Sequence, residues 1–129
     1  MSEEIIKCIY EKEGKEAGYI IELEGEDEIS LLIDNEQCCC EHWGYFFSED
    51  DYRQFVGAKL YSVTITDTAL NTRQVKKKGA NDRDAGDIMF VNIETSKGTL
   101  QFVAYNCHNG YYGHTARVQR RHTIHSDTL

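Results

Sequence analysis

Between residues 59 and 68 the chain alternates strictly. Leu60, Ser62, Thr64 and Thr66 form one set, and Tyr61, Val63, Ile65 and Asp67 the other, with β-branched side chains dense in both. A period of two with such residues suits a pleated strand and not a helix. The same pattern recurs in shorter pieces. Residues 5–10, 19–24 and 29–33 read as strands broken at Gly14, Gly18, Gly25-Glu26-Asp27 and Asp34-Asn35, which predicts a three-strand meander. Residues 43–47 form an aromatic strand, and 87–94 with 99–106 form a hairpin around Ser96-Lys97-Gly98. Residues 116–118 add a last strand. The chain has 10 glycines and no proline, so its turns come from Gly, Asn, Asp and Ser.

A single helix is predicted, over residues 48–56. Ser48 caps it, Glu49, Asp50 and Asp51 favour the positive end of its dipole, and Gly57 stops it. The expected fold is therefore α+β, mostly β: one antiparallel sheet of about six to eight strands with one short helix. The 129 residues form a single small domain over 1–119, with 120–129 a flexible tail. Residues 69–86, basic and poor in large apolar side chains, read as a long mobile loop. The expected core is Ile20, Leu23, Leu31, Ile33, Tyr45, Phe47, Phe55, Leu60, Val63, Ile65, Phe90, Val91, Ile93, Leu100, Phe102 and Val103.

Charge divides unevenly. Residues 1–55 carry 4 basic and 16 acidic side chains, and residues 56–129 carry 10 and 6, giving −8 overall. Two solvated surfaces would produce that balance. So would an acidic face offering carboxylates where a partner expects phosphates. Arg73 to Arg83, with Arg117, Arg120 and Arg121, suggests a basic patch, but the net charge opposes nucleic acid as the main ligand. No apolar run reaches the roughly 20 residues of a membrane span, and Met-Ser-Glu-Glu lacks a signal peptide's layout, so a cytoplasmic protein is expected.

The five cysteines are Cys8, Cys38, Cys39, Cys40 and Cys107. An odd number with three in a row is no disulfide framework, and reduced thiols fit better. Cys38 and Cys40 share one side of an extended segment. With Cys107 and His108 (or His114) they would make an unusual thiolate–imidazole metal site, the alternative being buried packing. A nucleophilic Cys107 or Cys40 would need a base such as His108 and an acid such as Glu41, and no signature surrounds them. Asn109-Gly110-Tyr111-Tyr112-Gly113 sets two large rings on a tight turn, for a partner's grip or to cap the sheet.

Three of these elements together, Asp34-Asn35-Glu36-Gln37-Cys38-Cys39-Cys40-Glu41, Phe55-Val56-Gly57-Ala58-Lys59-Leu60 and Asn109-Gly110-Tyr111-Tyr112-Gly113, resemble a family of small proteins of Firmicutes and their phages, DUF7448. Its members carry a Cys-Cys-Glu element after an early strand, a leucine-x-glycine element before a central strand, and a Ser-Asn-Gly-Tyr-Tyr-Ser turn. The resemblance spans residues 18–118. The third cysteine, Cys107-His108 and the basic loop 70–86 depart from it. The family carries no assigned reaction, so the resemblance transfers no catalytic residue. It implies a phage or mobile-element origin.

These readings lead to a non-catalytic binding protein without cofactor. The expected role is a phage-encoded inhibitor of a bacterial defence system, an anti-CRISPR protein first of all, acting as a DNA mimic in the host cytoplasm. Its partner would be a Cas nuclease or its guide-RNA complex, and self-association stays open. Glu22, Glu24, Glu26, Asp27, Glu28, Glu49, Asp50 and Asp51 would enter a phosphate-binding groove, with Trp43, Tyr45, Tyr111 and Tyr112 as contact area. The alternative is a nucleotide- or metal-binding protein using segments 38–41 and 107–114.

Overall fold

The computed structural model describes residues 4–25, 27–34, 43–49, 51–66, 68–70, 73, 87–106, 115–120 and 122–128. The first three strands are β1 (Ile6–Lys12), β2 (Glu16–Leu23) and β3 (Asp27–Asp34). They form the expected antiparallel meander. Then come β4 (Trp43–Phe47), a 3-10 turn η1 (Tyr52–Phe55) and β5 (Leu60–Thr66). The hairpin β6 (Asp87–Thr95) and β7 (Gly98–Asn106) follows, and β8 (Thr115–Arg120) and β9 (His122–Thr128) close the chain.

These strands make two sheets, not one. The first has the order β1-β2-β3-β8-β9 and the second β4-β7-β6-β5. An isolated bridge, Ile5 to Lys59, joins them at a corner, with the Leu60 amide donating to the Glu4 carbonyl at 2.7 Å. Strands buried on one face account for the split. Ile9, Ile21, Leu23, Ile29, Leu31, Ile33 and Val118 of the first sheet share one core with Phe47, Met89, Val91, Ile93, Leu100 and Phe102 of the second. Two apolar faces cover one another, which a single open sheet could not do. Each such side chain contributes about 1.5–3 kcal/mol on burial.

The outer face of the second sheet carries a smaller cluster of Phe46, Phe90, Val103 and Tyr105, with Ala69 and Ile88 against it. Phe90 and Val103 are thus buried as expected, but on the other side of the sheet. On the outer face of the first sheet, Ile20 and Leu32 are buried outside the main cluster. Ile65, an expected core residue, is 38% exposed where β5 runs along the edge.

The predicted helix 48–56 shrinks to the four residues of η1. Ser48 is not a cap. It is buried, and it extends the β4–β7 ladder: its amide donates to the Gln101 carbonyl at 2.8 Å, and the Gln101 amide donates back to its hydroxyl at 3.0 Å. Too few residues then remain for an α-helix. The end of η1 is instead satisfied from outside, by the Lys97 ammonium donating to the Gln54 and Val56 carbonyls. Within the tail expected over 120–129 lies a strand, since β9 (His122–Thr128) pairs antiparallel with β8. Loop 69–86, apart from residues 69, 70 and 73, lies outside the described residues.

Candidate functional site

The acidic residues of the β2–β3 turn surround an open cleft of about 610 Å³. Lys7, Glu22, Leu23, Glu24, Gly25, Asp27 and Glu28 line it. Glu22 alternates outward from the core side chains Ile21 and Leu23, and Glu28 outward from Ile29, so the pleat itself gathers these carboxylates on one side. Leu23 pairs with Asp27 and Glu22 with Glu28 across the ladder. Like charges directly opposite repel. Part of that cost is offset by neighbours: Glu22 accepts from the Cys8 thiol at 3.1 Å and from the Tyr10 hydroxyl at 3.3 Å. The hydrogen bond to Glu22, with burial and the carboxylate charge behind it, pushes the Cys8 thiol pKa up. The Tyr10 hydroxyl moves up too, through burial and then the charge of Glu22. A thiol held protonated in this way is a poor nucleophile.

Asp27 serves a different purpose. Arg120 donates to its carboxylate at 2.7 Å and also to Glu4, locking the β8–β9 end onto the β2–β3 turn and the start of the chain. Arg117 grips Glu16 with two hydrogen bonds of 2.7 and 2.6 Å. These pairings correct the reading of Arg117 and Arg120 as part of a basic patch: both guanidiniums are spent on carboxylates. Glu24 and Glu28 remain exposed at the cleft.

The other expected contact residues do not join this cleft. Glu49 and Asp51 are exposed on the connection from β4 to η1 and are not among the lining residues. Tyr45 belongs to an aromatic cluster. Its ring lies 5.5 Å from that of Tyr19, which stacks on Phe47 at 4.1 Å, and its hydroxyl donates to Glu11. Burial, and then the Glu11 carboxylate, raise its pKa. It is a half-buried packing residue and not a free ring. Trp43 begins β4 opposite Asn106, and its side chain lies outside the described residues. So do Glu26, Asp50, Tyr111, Tyr112, Cys38, Cys40, Cys107 and His108.

The ends of the two cysteine-bearing segments are nevertheless placed. Ile33 pairs with Ala116 in the first sheet, and Trp43 pairs with Asn106 in the second. The strands that flank segments 35–42 and 107–114 are therefore paired in both sheets, β3 with β8 and β4 with β7. Among the described residues no group of three or more metal-binding side chains forms, and no helix is long and apolar enough to cross a membrane. Sequence reasoning missed Lys7, Cys8, Tyr10 and Arg120 as shapers of the cleft. The alternation of Cys8 and Tyr10 on β1 was the available signal for two of them, while Arg120 acts from 93 residues away.

Fold and cleft define a two-sheet antiparallel β protein with an acidic turn at one end. The chain belongs to the family described as domain of unknown function (DUF7448), whose model matches residues 3–118. Neither the curated proteins nor the solved structures gave a match.

Proposed function

We propose that this is a non-catalytic binding protein that presents the acidic cleft of the β2–β3 turn to a basic, phosphate-binding groove of another macromolecule. The observation that carries this reading is the convergence of Glu22, Glu24, Asp27 and Glu28 around one opening, with Lys7 the only lining cation among the described residues. Carboxylates spaced along two paired strands offer a row of negative charge, which steers association and favours a positive partner. Because Asp27 is tied to Arg120, Glu24 and Glu28 are the residues that meet the partner first. The proposed partner class, a host defence nuclease such as a Cas effector or its guide-RNA complex, follows from the phage occurrence that the motif resemblance implies.

Capture from a lysate carrying defence systems, followed by mass spectrometry, tests the class of partner. With the captured protein in hand, Glu24→Lys/Glu28→Lys weakens binding by about tenfold or more, and affinity falls steeply with added salt. Binding indifferent to both changes removes the reading.

A second reading rests on the paired ends of segments 35–42 and 107–114. A site made by Cys38, Cys40, Cys107 and His108 would take one small ligand or a thiolate-binding metal. Zinc retained through purification, and lost together in Cys38→Ser/Cys107→Ser, supports it. A metal-free protein with ordinary thiol titration counts against it.

A further inference from the structure

β5 ends the second sheet, and only its first residues find a neighbour on the far side, through the Lys59 bridge and the Leu60 amide. From Tyr61 to Thr66 no strand among the described residues pairs with that side. Residues 68–70 lie over the sheet face, where Ala69 packs against the outer cluster and the Leu70 amide donates to the Gln101 side chain at 2.8 Å, and they do not pair with that side of β5.

Open edges in native proteins are normally blunted by charge, by proline or by strong bulging. β5 reads Leu-Tyr-Ser-Val-Thr-Ile-Thr, without a charge and without proline. Its single irregularity lies between Leu60 and Ser62, and the ladder to β6 is regular from Ser62 to Thr66. Four large hydrophobic side chains are exposed among the described residues, and two of them, Tyr61 at 66% and Ile65 at 38%, sit on this strand.

We propose that β5 pairs edge to edge with the β5 of a second copy of this chain, antiparallel and centred on Val63. That register sets Tyr61 of one copy opposite Ile65 of the other, twice, and Ser62 opposite Thr64, twice. The strand is its own complement: both exposed hydrophobic side chains are covered by one two-fold operation, in aromatic–β-branched pairs of the favourable kind. Charge permits the same place. Two copies of a chain with net charge −8 repel, and of the two uncharged edge strands of this sheet, β4 and β5, it is β5 that carries large exposed hydrophobic side chains among the described residues. β1, by contrast, carries Lys7, Glu11 and Lys12. The inference is independent of the acidic cleft and of any partner docked there.

Analytical ultracentrifugation of the full chain over a concentration series is the test, with hydrogen exchange followed in parallel. A species of twice the 14.8 kDa chain mass forms as concentration rises to on the order of 100 μM, and amides of residues 61–66 gain protection with it. Tyr61→Glu/Ile65→Glu sets like charges opposite and removes the dimer while circular dichroism stays unchanged. Tyr61→Lys/Ile65→Glu sets opposite charges across the axis and restores it. A monomer at every concentration overturns the proposal. So does a dimer that survives Tyr61→Glu/Ile65→Glu, protection gained on another strand, or a Tyr61→Lys/Ile65→Glu variant no more dimeric than Tyr61→Glu/Ile65→Glu. A dimer lost without any loss of partner binding separates this surface from the acidic cleft.

Discussion

A methyl group added at Gly18 would stand 1.8 Å from the Leu31 carbonyl oxygen, and its φ of +153° is one that side-chain-bearing residues rarely adopt. β2 and β3 close on each other at this point, so the backbone itself would have to move. Gly18→Ala is therefore expected to lower stability by about 3 kcal/mol or more in urea unfolding, with strand content lost before any other sign. The residue next to it makes a pH prediction. Burial, and then the charge of Glu11, raise Tyr19 from its usual 10 to about 12. A hydroxyl whose pKa is higher folded than unfolded holds its proton more tightly in the native state. Its contribution is present below pH 10 and is lost as pH rises through about 12. Thermal melts of the native chain should fall over that window, and Tyr19→Phe should fall less steeply. Both residues are plain letters in the sequence: Gly18 reads as punctuation and Tyr19 as one more strand residue. The close approach and the burial come from what the fold sets against them.

Among the elements, the strands were the most legible. Alternation and β-branching placed β1 to β7 within a few residues, because a half-buried strand must repeat every two positions. The helix over 48–56 failed for a reason that is not local: the cap residue Ser48 was claimed by Gln101, 53 residues away across the sheet. Gln101 itself is 1% exposed and holds the chain after β5 in place. Its side-chain oxygen accepts from the Leu70 amide, and its side-chain nitrogen donates to the Thr68 carbonyl and to Asn92. Gln101→Leu keeps the volume and removes these three hydrogen bonds. A loss of about 1–3 kcal/mol is expected, with faster hydrogen exchange at Leu70 as the local sign. No sequence pattern marks Gln101, since a polar residue at an alternate strand position ordinarily faces water.

Across the molecule, the separation of charge along the chain became a separation in space only in part. Glu22, Glu24, Asp27 and Glu28 meet at one cleft, whereas Glu49 and Asp51 lie on another connection. Arg120 crosses the divide between the acidic first part and the basic second part, and its pairs with Glu4 and Asp27 fasten the two ends of the fold together. Arg120→Ala removes a 2.7 Å ion pair from Asp27, whose side chain is 12% exposed. Because Glu4 is 42% exposed, the expected cost is discounted to about 2 kcal/mol, and the loss should shrink on raising salt. Equilibrium unfolding at two ionic strengths measures both.

Sequence alone decided the strand character, the hairpin at Ser96-Lys97-Gly98 and the meander, because each depends on neighbours within about ten residues of one another, and the family, through motifs in order along the chain. It did not decide that the strands divide into two sheets, which outer faces bury Phe90 and Ile20, or that β9 is a strand. Those outcomes turn on which apolar face covers which, and on partners such as Arg120 and Asp27 that lie 93 residues apart. Tertiary packing chooses among pairings that local pattern leaves equal in energy.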